Sequence, residues 1–144
     1  MRNALAKALY KAASLDSKII FLTADLGYRV FDSFIKRFPQ QYINVGVAEA
    51  QMINAAAGLA MEGFKPICYS IASFAYARPF EQIQFCLAYP KLPVVVVGVG
   101  RGLLYGKDGP SHHSINDIAL MNSIPNMTVV NPADPKEVEE LFPQ

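Results

Sequence analysis

The sequence predicts an α/β fold: a three-layer arrangement in which a mainly parallel sheet carries helices on both faces. Three observations carry this expectation. Segments of helix and strand character alternate along the whole chain, the pattern of right-handed crossovers onto a parallel sheet. The runs KIIFLT (18–23) and LPVVVVG (92–98) are almost wholly apolar rather than alternating, as strands covered on both faces are. The stretches that break the pattern fall in connections, most of them after the carboxyl end of a strand, where open parallel sheets bind ligands.

The elements follow in order. Residues 3–13 read as a helix with Leu5, Ala8, Leu9 and Ala12 on one face. Residues 18–23 are the first strand. Residues 31–38 form a short amphipathic helix that Pro39 helps to end. A short strand spans 42–45, and a helix runs from Glu49 to Met61. That helix is apolar nearly all round, so it is expected to be buried. Gly63 turns the chain into a strand at 65–69, and residues 70–78 read as a connection. A helix spans 79–89 and Pro90 closes it. The strongest strand is 92–98. A glycine-rich stretch follows, then a helix near 116–122, a strand at 128–130 and a final helix from Pro135, capped by Asp134.

The 144 residues suffice for a real core. The net charge of +1, with 17% charged against 52% hydrophobic residues, argues against nucleic acid or an acidic membrane surface as partner, since either wants a basic patch. So apolar a composition points to an oligomer or a partner chain. The amphipathic N-terminus lacks the apolar core of a secretory signal. No run reaches the ~18 apolar residues that a membrane span needs. Cys68 and Cys86 read as reduced core residues of a cytoplasmic protein. Two cysteines and two histidines make a zinc site improbable.

Two segments stand out chemically. In NVGVAEAQMIN (44–54) a lone carboxylate, Glu49, opens the apolar helix. Such a group is costly to bury unless it is hydrogen-bonded or shifted in pKa; the plainer reading is a first-turn acid favoured by the helix dipole. In GRGLLYGKDGPSHHSIND (100–117), four glycines and one proline accompany both histidines of the chain, and Asp108 lies four residues before His112. A mobile surface loop with a satisfied histidine is the plainer reading here. The glycine spacing is not that of a phosphate-binding P-loop and only loosely resembles a dinucleotide fingerprint. Between these segments, SIASFAYAR (70–78) presents Phe74 and Tyr76 just after a strand. Aromatics there are usually core, but a flat heteroaromatic ligand would want such a face.

Taken together, VGVAEAQM, ASFAYARPFEQI, LPVVVVGVGRGLLYGKDGPSHHSINDIALM and IPNMTVVNPAD resemble the pyrimidine-binding domain of transketolase. More broadly they resemble the thiamine-diphosphate enzymes that include deoxyxylulose-phosphate synthase and the beta subunit of 2-oxo acid dehydrogenases. The resemblance covers nearly the whole chain. It implies the thiamine-diphosphate-binding fold, of the pyrimidine type, and gives residues roles. Glu49 matches the glutamate that hydrogen-bonds the pyrimidine ring and activates the cofactor's aminopyrimidine. Phe74 matches the aromatic that stacks on that ring. Asp25, in TADLG, matches an acid near the thiazolium and the donor substrate. Asp108 and His112, in KDGPSH, match the acid and histidine around the substrate hydroxyls and the reacting carbon. Arg2 matches an arginine that binds substrate phosphate.

The departures lie at the sugar-phosphate end. Arg29 stands where transketolase has a serine, Gly100 where it has a histidine, and Asn131 where it has an arginine. Either the substrate differs from ordinary pentose phosphates, or Arg29 and Arg101 supply the charge from new positions. The Gly-Asp-Gly motif with which the family holds the diphosphate and its metal has no match here, so no metal ligand is assigned to this chain.

The expectation is therefore a transketolase-like transferase of two-carbon ketol units, binding thiamine diphosphate, with Mg2+ held by a partner chain. The partner would be a second copy or a diphosphate-binding subunit, and the substrate a small sugar or 2-oxo acid. Residues 1–144 would form a single domain, either one subunit of a divided enzyme or a piece cut short at its C-terminal end. A deoxyxylulose-phosphate-synthase-like or 2-oxo acid dehydrogenase beta-like subunit is the alternative within the class. A non-catalytic partner-binding module is the alternative outside it.

Overall fold

A computed structural model describes residues 1–142. Its core is a four-stranded parallel sheet, with strands β1 (Ile19–Thr23), β2 (Tyr42–Asn44), β3 (Lys65–Ile71) and β4 (Val95–Val99) in the order β2-β1-β3-β4. The helices are α1 (Arg2–Leu15), α2 (Asp32–Arg37), α3 (Glu49–Met61), α4 (Ala72–Ala77), α5 (Phe80–Gln82), α6 (Asp117–Asn122) and α7 (Pro135–Leu141). None is long and apolar enough to cross a membrane.

The pleat explains the three layers. Successive residues of a strand point to opposite faces, so Ile19 and Phe21 of β1 join one apolar cluster, and Ile20 and Leu22 join another. The first cluster takes Leu5, Leu9 and Ala13 from α1, with Phe31 and Phe34 at α2. The second takes Met52, Ile53, Ala56 and Ala57 from α3, with Ile83, Leu87 and Met121. Both faces are thus covered, which is why β1 is buried along its whole length. Cys68, in β3, sits in the second cluster as a free thiol whose pKa burial pushes up to about 12.

Four segments depart from the sequence reading. Residues 70–78 are not a connection: β3 runs on to Ile71 and the chain enters α4 at once. Alanines 72, 75 and 77 favour a helix, and Gly98 of β4 lets it approach, since a Cβ there would lie 2.9 Å from Ala72 Cα. Residues 79–89 begin as α5 but continue as π-helical turns from Ile83 to Ala88; nothing in the sequence marks this. Residues 128–130 are not a strand. Met127 and Val129 pack on the core while Thr128 and Val130 face out, so the alternation is real. Among the described residues, however, no neighbouring strand offers a hydrogen-bond ladder. Finally, α3 is buried on one side only. Met52, Ile53, Ala56 and Ala60 face the core, but Met61 is 74% exposed.

Candidate active site

The connections after all four strands open on the carboxyl edge of the sheet, as expected for a parallel α/β fold. Glu49, the first residue of α3, is only 3% exposed. The N-cap of that helix is Ala48, which has no side-chain group to cap it. The Glu49 carboxylate reaches across to the end of β3 and past the end of α4: Oε1 accepts from Ser70 Oγ at 3.2 Å and Oε2 from Arg78 Nη1 at 2.8 Å. Glu49 is thus a first-turn acid, as the plainer reading has it, and its burial cost is met by one hydrogen bond and one charge-assisted pair.

Arg78 makes a second contact. Its Cζ lies 3.6 Å from the centre of the Phe74 ring, within cation–π range. Phe74 also meets the His112 ring edge-on at 4.8 Å. His112 closes a 3-10 turn, Pro110–His112, and its Nδ1 lies 3.0 Å from Ser111 Oγ. Ser73 Oγ donates to the Ser111 carbonyl at 2.8 Å, and the Tyr76 hydroxyl donates to Asn116 Oδ1, so α4 and the glycine-rich loop are fastened together. Between them lies an open cleft of about 480 Å³ whose lining includes Phe74, Arg78 and His113. The Nε2 of His113 is buried with no hydrogen-bond partner.

The sequence-identified residues thus divide. Glu49, Phe74 and His112 are linked through Arg78 and ring contacts. Asp25, Arg29, Asp108 and Arg2 are exposed, and no hydrogen bond joins them to Glu49. Asp25 sits beyond β1 in the left-handed region, at φ 53°. It accepts from the Tyr28 hydroxyl and from Asn44 Nδ2, and these bonds, Tyr28's first, hold its pKa below the ordinary carboxylate value. Arg29 is also left-handed, at φ 66°, and its side chain forms no ion pair among the described residues. Arg101, the other arginine considered for substrate charge, is held by Asp117 at 2.9 Å. Arg2 lies near enough to act on the Tyr69 hydroxyl, whose pKa burial nonetheless pushes up to about 12. That hydroxyl has no hydrogen-bond partner in its buried position.

Sequence reasoning missed Ser70, Arg78 and Tyr105. Arg78 carried a signal in being the one cation of the SIASFAYAR segment. Tyr105 explains the Gly100 departure. A Cβ on Gly100 would fall 1.9 Å from the Tyr105 ring, so the tyrosine occupies the space that a side chain at position 100 would need, 6.3 Å from the His112 ring.

The chain is thus a parallel α/β domain with a buried carboxylate, an arginine and an aromatic ring gathered at the carboxyl edge of its sheet. The chain belongs to the transketolase pyrimidine-binding domain family, which it matches along residues 1–144. It is 39% identical to a 6-deoxy-6-sulfo-D-fructose transketolase subunit of Clostridium sp., a match covering 100% of this chain and 45% of that protein. It is 35% identical to a 1-deoxy-D-xylulose-5-phosphate synthase of Methylacidiphilum infernorum, covering 95% of this chain and 22% of the other. A solved split-gene transketolase, an inactive beta4 tetramer, superposes with a TM-score of 0.87 at 37% identity, over 99% of this chain and 45% of that one. The chain spans under half the length of these relatives.

Proposed function

We propose that this chain supplies the pyrimidine half of a thiamine-diphosphate site in a transketolase-like enzyme that transfers a two-carbon ketol unit. The single observation that carries the reading is Glu49. It is a buried carboxylate at a helix start, and Arg78 joins it to the Phe74 ring. These residues fit the pyrimidine end of the cofactor: a flat ring on Phe74 could place a nitrogen toward the carboxylate, and Glu49 would share a proton there. Bound thiamine diphosphate supplies the carbanion chemistry. His112, edge-on to Phe74, would face the reacting carbon and exchange protons with substrate oxygens. Asp25 would stand near the donor. Asp108, Arg2 and Arg29 would contact the substrate.

Among the described residues no cluster of three or more His, Cys, Asp or Glu side chains could hold a metal. The reading assigns Mg2+ and the diphosphate to a partner chain or a second copy because the sequence has no match to the Gly-Asp-Gly motif, in a cytoplasmic enzyme of carbohydrate metabolism. The deoxyxylulose-phosphate-synthase-like reading stays as second choice on the likeness to such an enzyme. The test is hydrogen exchange at the thiazolium carbon, followed by NMR in the enzyme assembled from this chain and its partner. Glu49→Ala is expected to slow it by at least ~100-fold. Exchange at the wild-type rate would reduce Glu49 to a structural residue.

A further inference from the structure

The contacts of Arg78 have a particular shape. A guanidinium is planar, carries N–H donors at its rim and stacks on aromatic faces. Here one rim donor lies 2.8 Å from Glu49 Oε2, while the central carbon lies 3.6 Å from the middle of the Phe74 ring. A flat ring stacked on Phe74 and sharing a proton with Glu49 is also what the proposed function requires of the pyrimidine. Two such groups cannot share that position.

We infer that Arg78 is an internal stand-in for the pyrimidine ring. It holds the Glu49 carboxylate and the Phe74 ring in their working positions and gives up both contacts when a ring enters. The inference rests on the proposed function. Three observations support a guanidinium that can leave. The Arg78 side chain is 43% exposed while the Glu49 side chain is 2% exposed, so the carboxylate is the fixed partner and the arginine the one with a route to solvent. Arg78 lines the open cleft of about 480 Å³, which gives its long side chain somewhere to go. Ser70 Oγ stays on Oε1 and keeps the carboxylate oriented once Oε2 is released. Arg78 is thus a positioning residue, and its exchange lets a buried charge pass from one cationic or N–H partner to another without standing bare.

The inference predicts competition. The probe is 4-amino-5-hydroxymethyl-2-methylpyrimidine, which lacks the diphosphate and reports on the ring site alone. It is titrated into the enzyme assembled from this chain and its partner, with the Phe and Arg side chains of this chain labelled for NMR. In the wild type, the Phe74 ring signals and the Arg78 Nε–Hε signal are expected to move together, the latter toward its free value. In Arg78→Met the probe should bind more tightly by at least about fivefold, the worth of the cation–π contact alone, since neither that contact nor the Glu49 pair has to be displaced. If Arg78→Met does not fold, Arg78→Lys keeps the charge without the planar fork, and it too should bind the probe more tightly than the wild type.

Movement of Phe74 with an unmoved Arg78 signal, or weaker binding in either variant, would make Arg78 a permanent brace. That would overturn the inference while leaving the proposed function standing. A probe that moves Phe74 in neither the wild type nor the variants would remove the pyrimidine-site reading and the inference with it.

Discussion

Removing the Glu49 carboxylate deletes the acceptor of both Ser70 and Arg78. Glu49→Ala should cost the assembled enzyme at least ~100-fold in kcat. The fold should notice less, because the change also removes the burial cost of an anion, and the arginine left behind has solvent to turn to. A melting temperature within about 5 °C of wild type is expected, read by circular dichroism. Asp25 offers a milder test. Its pKa is lowered chiefly by the Tyr28 hydroxyl, so Tyr28→Phe should raise it toward the ordinary value, as followed by a carboxyl NMR titration. A depressed pKa stabilises the fold above the unfolded-state value and ceases to do so as pH falls through the folded one. The variant should therefore lose less stability than wild type on acidification. At this scale the sequence announced the groups proposed to do chemistry but not those that hold them. Glu49 stands out as a lone carboxylate among small and apolar residues and His112 as one of two histidines gathered in a glycine-rich loop, whereas Ser70 and Arg78 become partners only when β3 and α4 bring them round to the start of α3.

Gly98 and Ala72 decide how α4 lies on β4. Gly98→Ala would press a methyl group to within 2.9 Å of the Ala72 backbone, an overpacking cost of about 1–3 kcal/mol. Thermal unfolding should show it as a melting point several degrees lower. At the other end of the chain, Asp134 Oδ1 accepts from the backbone N–H groups of Lys136 and Glu137, at 2.7 and 3.0 Å. Asp134→Ala should cost about 1 kcal/mol, again read by melting temperature. This cap was legible because an Asp-Pro step writes a helix start into local chemistry. So was β1, as a run too apolar for any exposed face; β4 was legible as a strand, but it lies at the edge of the sheet and leaves Val95 51% exposed, so its apolar run did not mean cover on both faces. The helix α4 was not, because glycine at position 98, far along the chain, makes room for it. Residues 128–130 misled for a related reason: their alternation records burial of Met127 and Val129, and burial alone does not supply a ladder partner.

For the whole molecule, a site shared with a partner, as proposed, predicts weak cofactor binding by the chain alone. Calorimetric titration with thiamine diphosphate and Mg2+ should give a dissociation constant near 1 mM or weaker, about 4 kcal/mol of binding at most. Tight binding would refute a site shared with a partner. The placement of the site also has a bearing on descent. Glu49 is locked between three elements, while Arg2, Asp25, Arg29 and Asp108 lie exposed at the carboxyl edge. Surface exchanges away from special contacts typically change stability by less than about 0.5 kcal/mol. Selection could then rewrite the exposed positions one at a time with little cost to folding, whereas a change at Glu49 strips both Ser70 and Arg78 of their acceptor and, on the proposed function, costs turnover. Lineages built on this chain should drift in what they act upon long before they drift in the cofactor they use.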